Sequence, residues 1–112
     1  MSTVFDLIIK GKLPSTKVYE SEHVLAIEDI HPVAPIHILI MPKKPIPDFQ
    51  HIAPQDWPVV QEMLQAAQQI AEEKGLTEDG YRLLTNNGAN AGQIVFHLHF
   101  HLIGGKVLGH IG

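Results

Sequence analysis

Near its C-terminal end the chain reads His97-Leu98-His99-Phe100-His101-Leu102-Ile103. Successive side chains of a β-strand point to opposite faces. A strand over about residues 94–103 therefore sets the three imidazoles on one face and Phe96, Leu98, Phe100 and Leu102 on the other. The apolar face has to be covered by a core, which commits the chain to a sheet with a buried side. The opposite face then carries three titratable groups in a row on a rigid element. Such a row suits phosphate or metal chemistry better than packing. The plain alternative is a sheet whose wet face is rich in His, because eight His in 112 residues allow some alternation by chance. The large apolar residues between the histidines make chance a poor account.

A chain of this length makes one domain, residues 1–112, with a single core. Its 45% apolar content is that of a folded globular protein. The formal net charge is −4 with His neutral, and Lys and Arg are scattered. That pattern speaks against a duplex nucleic-acid binder, which needs a basic patch. A single nucleotide needs only a few local donors. Cysteine is absent, which removes a disulfide framework, a thiolate nucleophile and Cys-ligated zinc. The opening residues lack a basic stretch and place Asp6 inside their apolar run, so no signal peptide is expected. No apolar run approaches the ~20 residues of a membrane helix. The expectation is a cytoplasmic protein without a membrane partner.

Along the chain, Val4, Phe5, Ile8 and Ile9 predict a short amphipathic helix over 3–10, capped by Ser2 or Thr3 and ended by Gly11. Val18-Tyr19 and Val24 to Glu28 predict a hairpin through Ser21-Glu22-His23. Residues 36–41 predict a strand with Ile36, Ile38 and Ile40 on one face and His37, Leu39 and Met41 on the other. Pro42, Pro45 and Pro47 forbid regular structure until about residue 53. Val59, Val60, Met63, Leu64, Ala67, Ile70 and Ala71 keep a helical period from near Pro54 or Pro58 up to Gly75. Gly80 to Asn86 predicts a further strand, and Asn87 to Gln93 a glycine-containing loop that feeds the His strand. Antiparallel neighbours around one long helix give the class α+β.

Gly88 and Gly92 let backbone N–H groups of that loop approach an anion. An ordinary glycine turn would look the same, but its position beside the histidines favours a ligand. For a metal, residues i and i+4 of a strand stand ~13 Å apart at the backbone, so His97 and His101 would have to lean far inward to share one ion. A site built from two of the three plus His37 stays open. No Asp or Glu occurs between Tyr81 and Gly112. Metal-bound His commonly donates its other N–H to a carboxylate or a carbonyl, whereas an acid-free neighbourhood suits an incoming phosphate. Histidine can also attack phosphorus as a nucleophile. His23, His51 and His110 read as surface or turn residues, Lys43-Lys44 as a solvated turn, and Phe49 as core beneath the proline loop. Trp57 reads as packing near the start of the main helix, Tyr81 as packing on an outer strand and Arg82 as solvating it.

The seven residues from His97 to Ile103 match the signature of the histidine-triad (HIT) family, His-φ-His-φ-His-φ-φ with φ apolar, at every position. The chain also resembles that family in Thr3-Val4-Phe5 through Ile8-Ile9-Lys10 with Leu13-Pro14, in Asp29-Ile30-His31-Pro32-Val33-Ala34-Pro35 followed by His37, and in Met41-Pro42-Lys43-Lys44 and Gly92-Gln93. Gly104-Gly105 after the triad is similar to its HINT-like branch.

The resemblance implies a five-stranded antiparallel sheet with one long and one short helix, doubled in a homodimer that extends the sheet. It implies hydrolysis of the P–N bond of purine nucleoside phosphoramidates, releasing AMP or GMP without a cofactor or metal. His99 would attack phosphorus, His97 and His37 would orient it with backbone carbonyls fixing tautomers, and His101 would contact the phosphate and assist the leaving group. Asp29 would bind the ribose hydroxyls, and Asn86 and Gln93 beside Gly92 would hold the phosphate and the leaving-group side. Ile27 would line the base pocket with Phe5, Ile8 and Ile30, and His31 would lie near the sugar. A nucleotide-binding regulatory protein with incidental activity stays open as the second reading. Two departures stand out. Ile94 occupies a position where relatives often carry Ser or Thr, so a side-chain bond to phosphate is missing. The sequence also runs only a short way past Gly105, where relatives often have a longer tail reaching the partner's site.

Overall fold

The structure, a computed structural model, describes residues 2–110. Residues 1, 111 and 112 of the expected single domain lie outside the described residues. Helix α1 (Val4–Ile9) starts at a capping box. The Asp6 N–H donates to Thr3 Oγ1 at 3.2 Å, and the Thr3 N–H donates to Asp6 Oδ2 at 2.9 Å. Two of the helix's orphan donors are thereby satisfied. Gly11, at φ 76°, turns the chain away.

Strands β1 (Lys17–Glu20) and β2 (Val24–Glu28) form the expected hairpin. Its turn is tied to the long helix through Ser21 Oγ and the Glu62 carboxylate. Strand β3 (Ile36–Pro42) pairs with β2, β4 (Tyr81–Leu84) lies at the far edge, and β5 (Phe100–Gly104) sits between them. The sheet has five strands, all antiparallel, in the order β1-β2-β3-β5-β4.

The period of two sorts side chains onto two faces. On one face Val24, Ala26, Ile38, Ile40, Leu98 and Leu102 meet helix α2 (Trp57–Glu73), which contributes Val60, Met63, Ala66, Ala67, Ile70 and Ala71. This is the main core. Leu64, expected on its buried stripe, is 38% exposed. On the other face Leu25, Ile27, Leu39 and Met41 are covered by Phe5 of α1, forming a second, smaller cluster. The histidines share this second face.

The His strand differs from the expectation in length. Regular pairing begins only at Phe100, opposite Ile40. Continuing it would bring residues 97–99 against Pro42, which has no N–H to donate. The run 97–99 stays outside the ladder and finds other partners. The Leu98 N–H donates to the Ile46 carbonyl, and Thr85 Oγ1 donates to the His99 carbonyl at 2.7 Å. Leu98, Phe100 and Leu102 still face the main core. Phe96, one step earlier, is 52% exposed, because the chain has already left the sheet there. Phe49 is likewise exposed rather than core, stacked edge-on against Trp57 with centroids 6.1 Å apart. Tyr81 is exposed rather than packed, and Arg82 beside it donates to the Gly109 carbonyl.

The Gly104-Gly105 pair has a packing reason. A Cβ on Gly104 would stand 2.9 Å from Leu76 Cδ2 and 3.4 Å from Tyr81 Cβ. Gly105 takes φ +92° as the chain leaves the sheet.

Candidate active site

Four histidines converge on the α1 side of the sheet. His101 lies on β5 opposite Leu39 of β3 and Leu84 of β4. His37 lies on β3, opposite Ile103. His99 and His97 come from the unpaired run before β5. The Phe5 ring meets His99 edge-on at 4.9 Å and His97 at 6.0 Å. The His99 and His101 ring centroids are 5.0 Å apart.

Their hydrogen bonds fix their tautomers. A carbonyl oxygen only accepts. His99 Nδ1 lies 2.7 Å from the His97 carbonyl, so Nδ1 carries the proton and Nε2 keeps its lone pair. His97 Nε2 lies 2.7 Å from the Pro42 carbonyl, so Nε2 donates there. The Val33 N–H donates to His37 Nδ1 at 3.2 Å, which leaves the His37 proton on Nε2. That proton points at His101 Nδ1, 2.9 Å away. His101 therefore accepts on Nδ1 and carries its own proton on Nε2.

Burial keeps His37, His99 and His101 neutral. It pushes the pKa of His37 down, with the Asp29 charge opposing. Burial also lowers that of His99, and the bond to the His97 carbonyl opposes it. His101 is driven to about 4, first by burial and then by its neighbours His99 and His37. An unprotonated Nε2 on His99 at neutral pH is the form that can attack an electrophile.

The neighbourhood is not acid-free, contrary to the sequence expectation. Asp29 Oδ2 stands 3.4 Å from His37 Nε2, and Asp6 Oδ1 stands 3.6 Å from His97 Nδ1. Both carboxylates come from distant segments, which a scan of the local sequence does not reach. Asp29, His37 and His101 offer ligand atoms within 4.8 Å of one another. The Val33 N–H occupies His37 Nδ1, so Nε2 holds a proton and has no lone pair for an ion.

Of the other expected residues, Asp29 is at the rim, its Oδ1 accepting the His31 N–H at 2.8 Å. Ile27 is buried in the smaller apolar cluster beneath α1 with Phe5, while Ile30 is 84% exposed. Asn86 is half-buried in the run after β4. Gly88 and Gly92, both at φ 85°, bracket a single 3-10 turn, Ala89–Ala91. Gln93 is buried with its side chain engaged by protein. Its Nε2 donates to the Pro47 carbonyl at 2.9 Å and the Val95 carbonyl at 3.2 Å, and its Oε1 accepts the Gly88 N–H at 2.7 Å. Gln93 thus braces the loop. Lys43 and Lys44 are paired with Glu20 and Asp56. A groove of about 380 Å³, lined by His23, Lys44 and the start of α2, shares no residue with this site.

Residues 10–108 match the HIT domain. A HIT-like protein of Chlamydia pneumoniae is 50% identical over 109 residues, covering 97% of this chain and 98% of its own. The purine nucleoside phosphoramidase of Escherichia coli K12 is 43% identical over 107 residues, 96% of this chain and 90% of its own. A HIT family hydrolase of Clostridium thermocellum superposes with a TM-score of 0.93 at 49% identity, covering 97% of this chain and 95% of its own.

Proposed function

The chain belongs to the HIT domain family, and on that premise we propose that it is a hydrolase that splits the P–N bond of purine nucleoside phosphoramidates and releases AMP or GMP. The observation that carries this reading is the His99 tautomer, with Nδ1 bound to a backbone carbonyl and Nε2 free. The name of the 43% identical Escherichia coli relative supports the substrate class.

In the first step the His99 Nε2 lone pair attacks phosphorus. A P–N bond to His99 forms as the P–N bond to the leaving amine breaks. The phosphoramidate nitrogen, protonated in the bound substrate, leaves as the neutral amine, and the His101 Nε2–H donates a hydrogen bond on the leaving-group side. In the second step water attacks phosphorus and releases its proton to solvent, with the His101 Nε2–H again donating to the phosphate side. The bond to His99 breaks, and the nucleotide leaves. Both histidines end as they began, so no metal or cofactor is consumed.

The other residues serve this cycle. His37 holds His101 in its donor tautomer through the 2.9 Å bond between them. His97 supplies the carbonyl that orients His99. Asp29, an acceptor-only group at the rim, takes the ribose hydroxyls. Ile27 and Phe5 form the apolar floor, and the exposed Ile30 lies against the base. Phosphate falls to Asn86 and to the amides around Gly92, which Gln93 holds in place. Ile94 contributes no hydroxyl. The enzyme is read as a cytoplasmic homodimer, a state that light scattering at micromolar concentration checks and a strict monomer refutes.

The deciding experiment is rapid quenching with phosphorus-labelled adenosine phosphoramidate. Wild type should carry acid-labile label. His99→Ala should carry none and lose roughly 10⁴ or more in turnover, while AMP affinity stays within about tenfold. Equal labelling of the variant refutes the assignment. Binding of AMP by a wild type that turns over nothing leaves only a nucleotide-binding regulatory role.

A further inference from the structure

His97 is 1% exposed, and its Nδ1 is buried without a hydrogen-bond partner. Its Nε2 donates to the Pro42 carbonyl at 2.7 Å, so the ring cannot turn its proton elsewhere. A neutral ring would then face Nδ1 with a bare lone pair. The nearest charged atom to receive it is Asp6 Oδ1 at 3.6 Å, a carboxylate oxygen that repels a lone pair. An unsatisfied buried acceptor is destabilising, before the repulsion is counted. Protonation of Nδ1 turns that repulsion into attraction.

We propose that Asp6 is a positioning residue: its carboxylate holds His97 as a buried imidazolium, and that fixed cation keeps His99 neutral and in place beneath the phosphate. The inference rests on the reading of His99 as nucleophile. The distance is longer than a normal hydrogen bond and within ion-pair range. The groups that face this pair come from three elements. Asp6 lies on α1 with Lys10 just past its end, Pro42 of β3 presents its carbonyl, and His99 follows on the same run, with His101 and Asp29 beyond it. The Thr3 backbone N–H holds the Asp6 carboxyl below its usual range, and the His97 charge adds to this. Charge at His97 disfavours a second charge at His99, in the direction a nucleophile needs. Asp6 thus serves two ends: Oδ2 caps α1 through Thr3, and Oδ1 faces the triad.

The test is nitrogen-15 NMR of histidine side chains in the full chain at neutral pH. In wild type both His97 nitrogens should be protonated. In Asp6→Asn, Nδ1 should lose its proton while Nε2 keeps its own. A bare Nδ1 in wild type overturns the proposal without any variant. Because Asp6 also caps α1, Thr3→Ala is the control: it removes the capping hydroxyl and keeps the carboxylate. Its His97 resonances should match wild type. In kinetics, the acid limb of kcat/KM should move to higher pH in Asp6→Asn, with about a tenfold loss of rate on that limb, and stay in place in Thr3→Ala. The same change in both variants makes Asp6 a helix cap and nothing more. If wild type does not turn over a phosphoramidate, the nucleophile reading falls, and the NMR arm alone decides on Asp6 and His97.

Discussion

Acid should loosen this fold well before its carboxylates titrate. His101 binds its proton near 6.5 when unfolded and only near about 4 when folded. Between those values the unfolded chain holds a proton that the native chain does not. Stability is therefore full above 6.5, falls as pH drops through the window, and stops falling for this group below about 4. A difference of about 2.5 in pKa corresponds to at most about 3.4 kcal/mol. The ring is partly open to water, which screens the effect, so about 2 kcal/mol is expected from His101. His37 and His99 are displaced in the same direction and add to it. Glu20, held near about 2 by Lys43 and Lys17, begins to lose its contribution only as pH falls below 4.5, so its effect is separable. The assay is urea denaturation followed by circular dichroism at several pH values and one protein concentration. Wild type should lose stability steadily on acidification across the histidine window. His101→Gln, which keeps an acceptor for the His37 N–H, should lose about 2 kcal/mol less over the same range. A wild-type stability that is flat or rises on acidification refutes the account of neutral, buried imidazoles. An unchanged slope in the variant refutes the part assigned to His101.

Two further outcomes follow from packing and from the tautomers. Gly104→Ala should cost about 1–3 kcal/mol in chemical denaturation, because the new Cβ meets the Leu76 methyls at 2.9 and 3.1 Å; full stability would show that Leu76 moves aside freely. AMP should bind with unchanged affinity in excess chelator, measured by calorimetry, because the Val33 N–H denies His37 Nε2 to an ion; binding lost to chelator and restored by zinc would reverse that conclusion.

Much of the fold was legible because it depends on local period. The alternation through Leu98, Phe100 and Leu102 marked the core face of β5, and Ile38 and Ile40 marked that of β3. The spacing of Thr3 and Asp6 is that of a helix cap and can be read from sequence alone. Illegible was anything set by which strand lies beside which. The place where β5 stops pairing is decided by Pro42 on another strand, so the regular strand begins later than the alternation suggests. Asp6 and Asp29 reach the histidines only once α1 is folded over the sheet and β3 is docked on β5. A search for acids near the triad in sequence therefore finds none. Gln93 shows the converse: a polar residue at a ligand-rich position whose hydrogen bonds are already used internally.

The bond that aims His99 ends on a main-chain oxygen, and every residue type at position 97 would supply that oxygen. No exchange of the side chain at position 97 deletes it. The link between His37 and His101 joins two side chains and disappears with either one. The two halves of the site are thus unequally exposed to mutation. Drift can retune which group is expelled while the aim of the attacking nitrogen is carried by the backbone. A lineage of such proteins can explore new leaving groups in single steps without first losing its nucleophile.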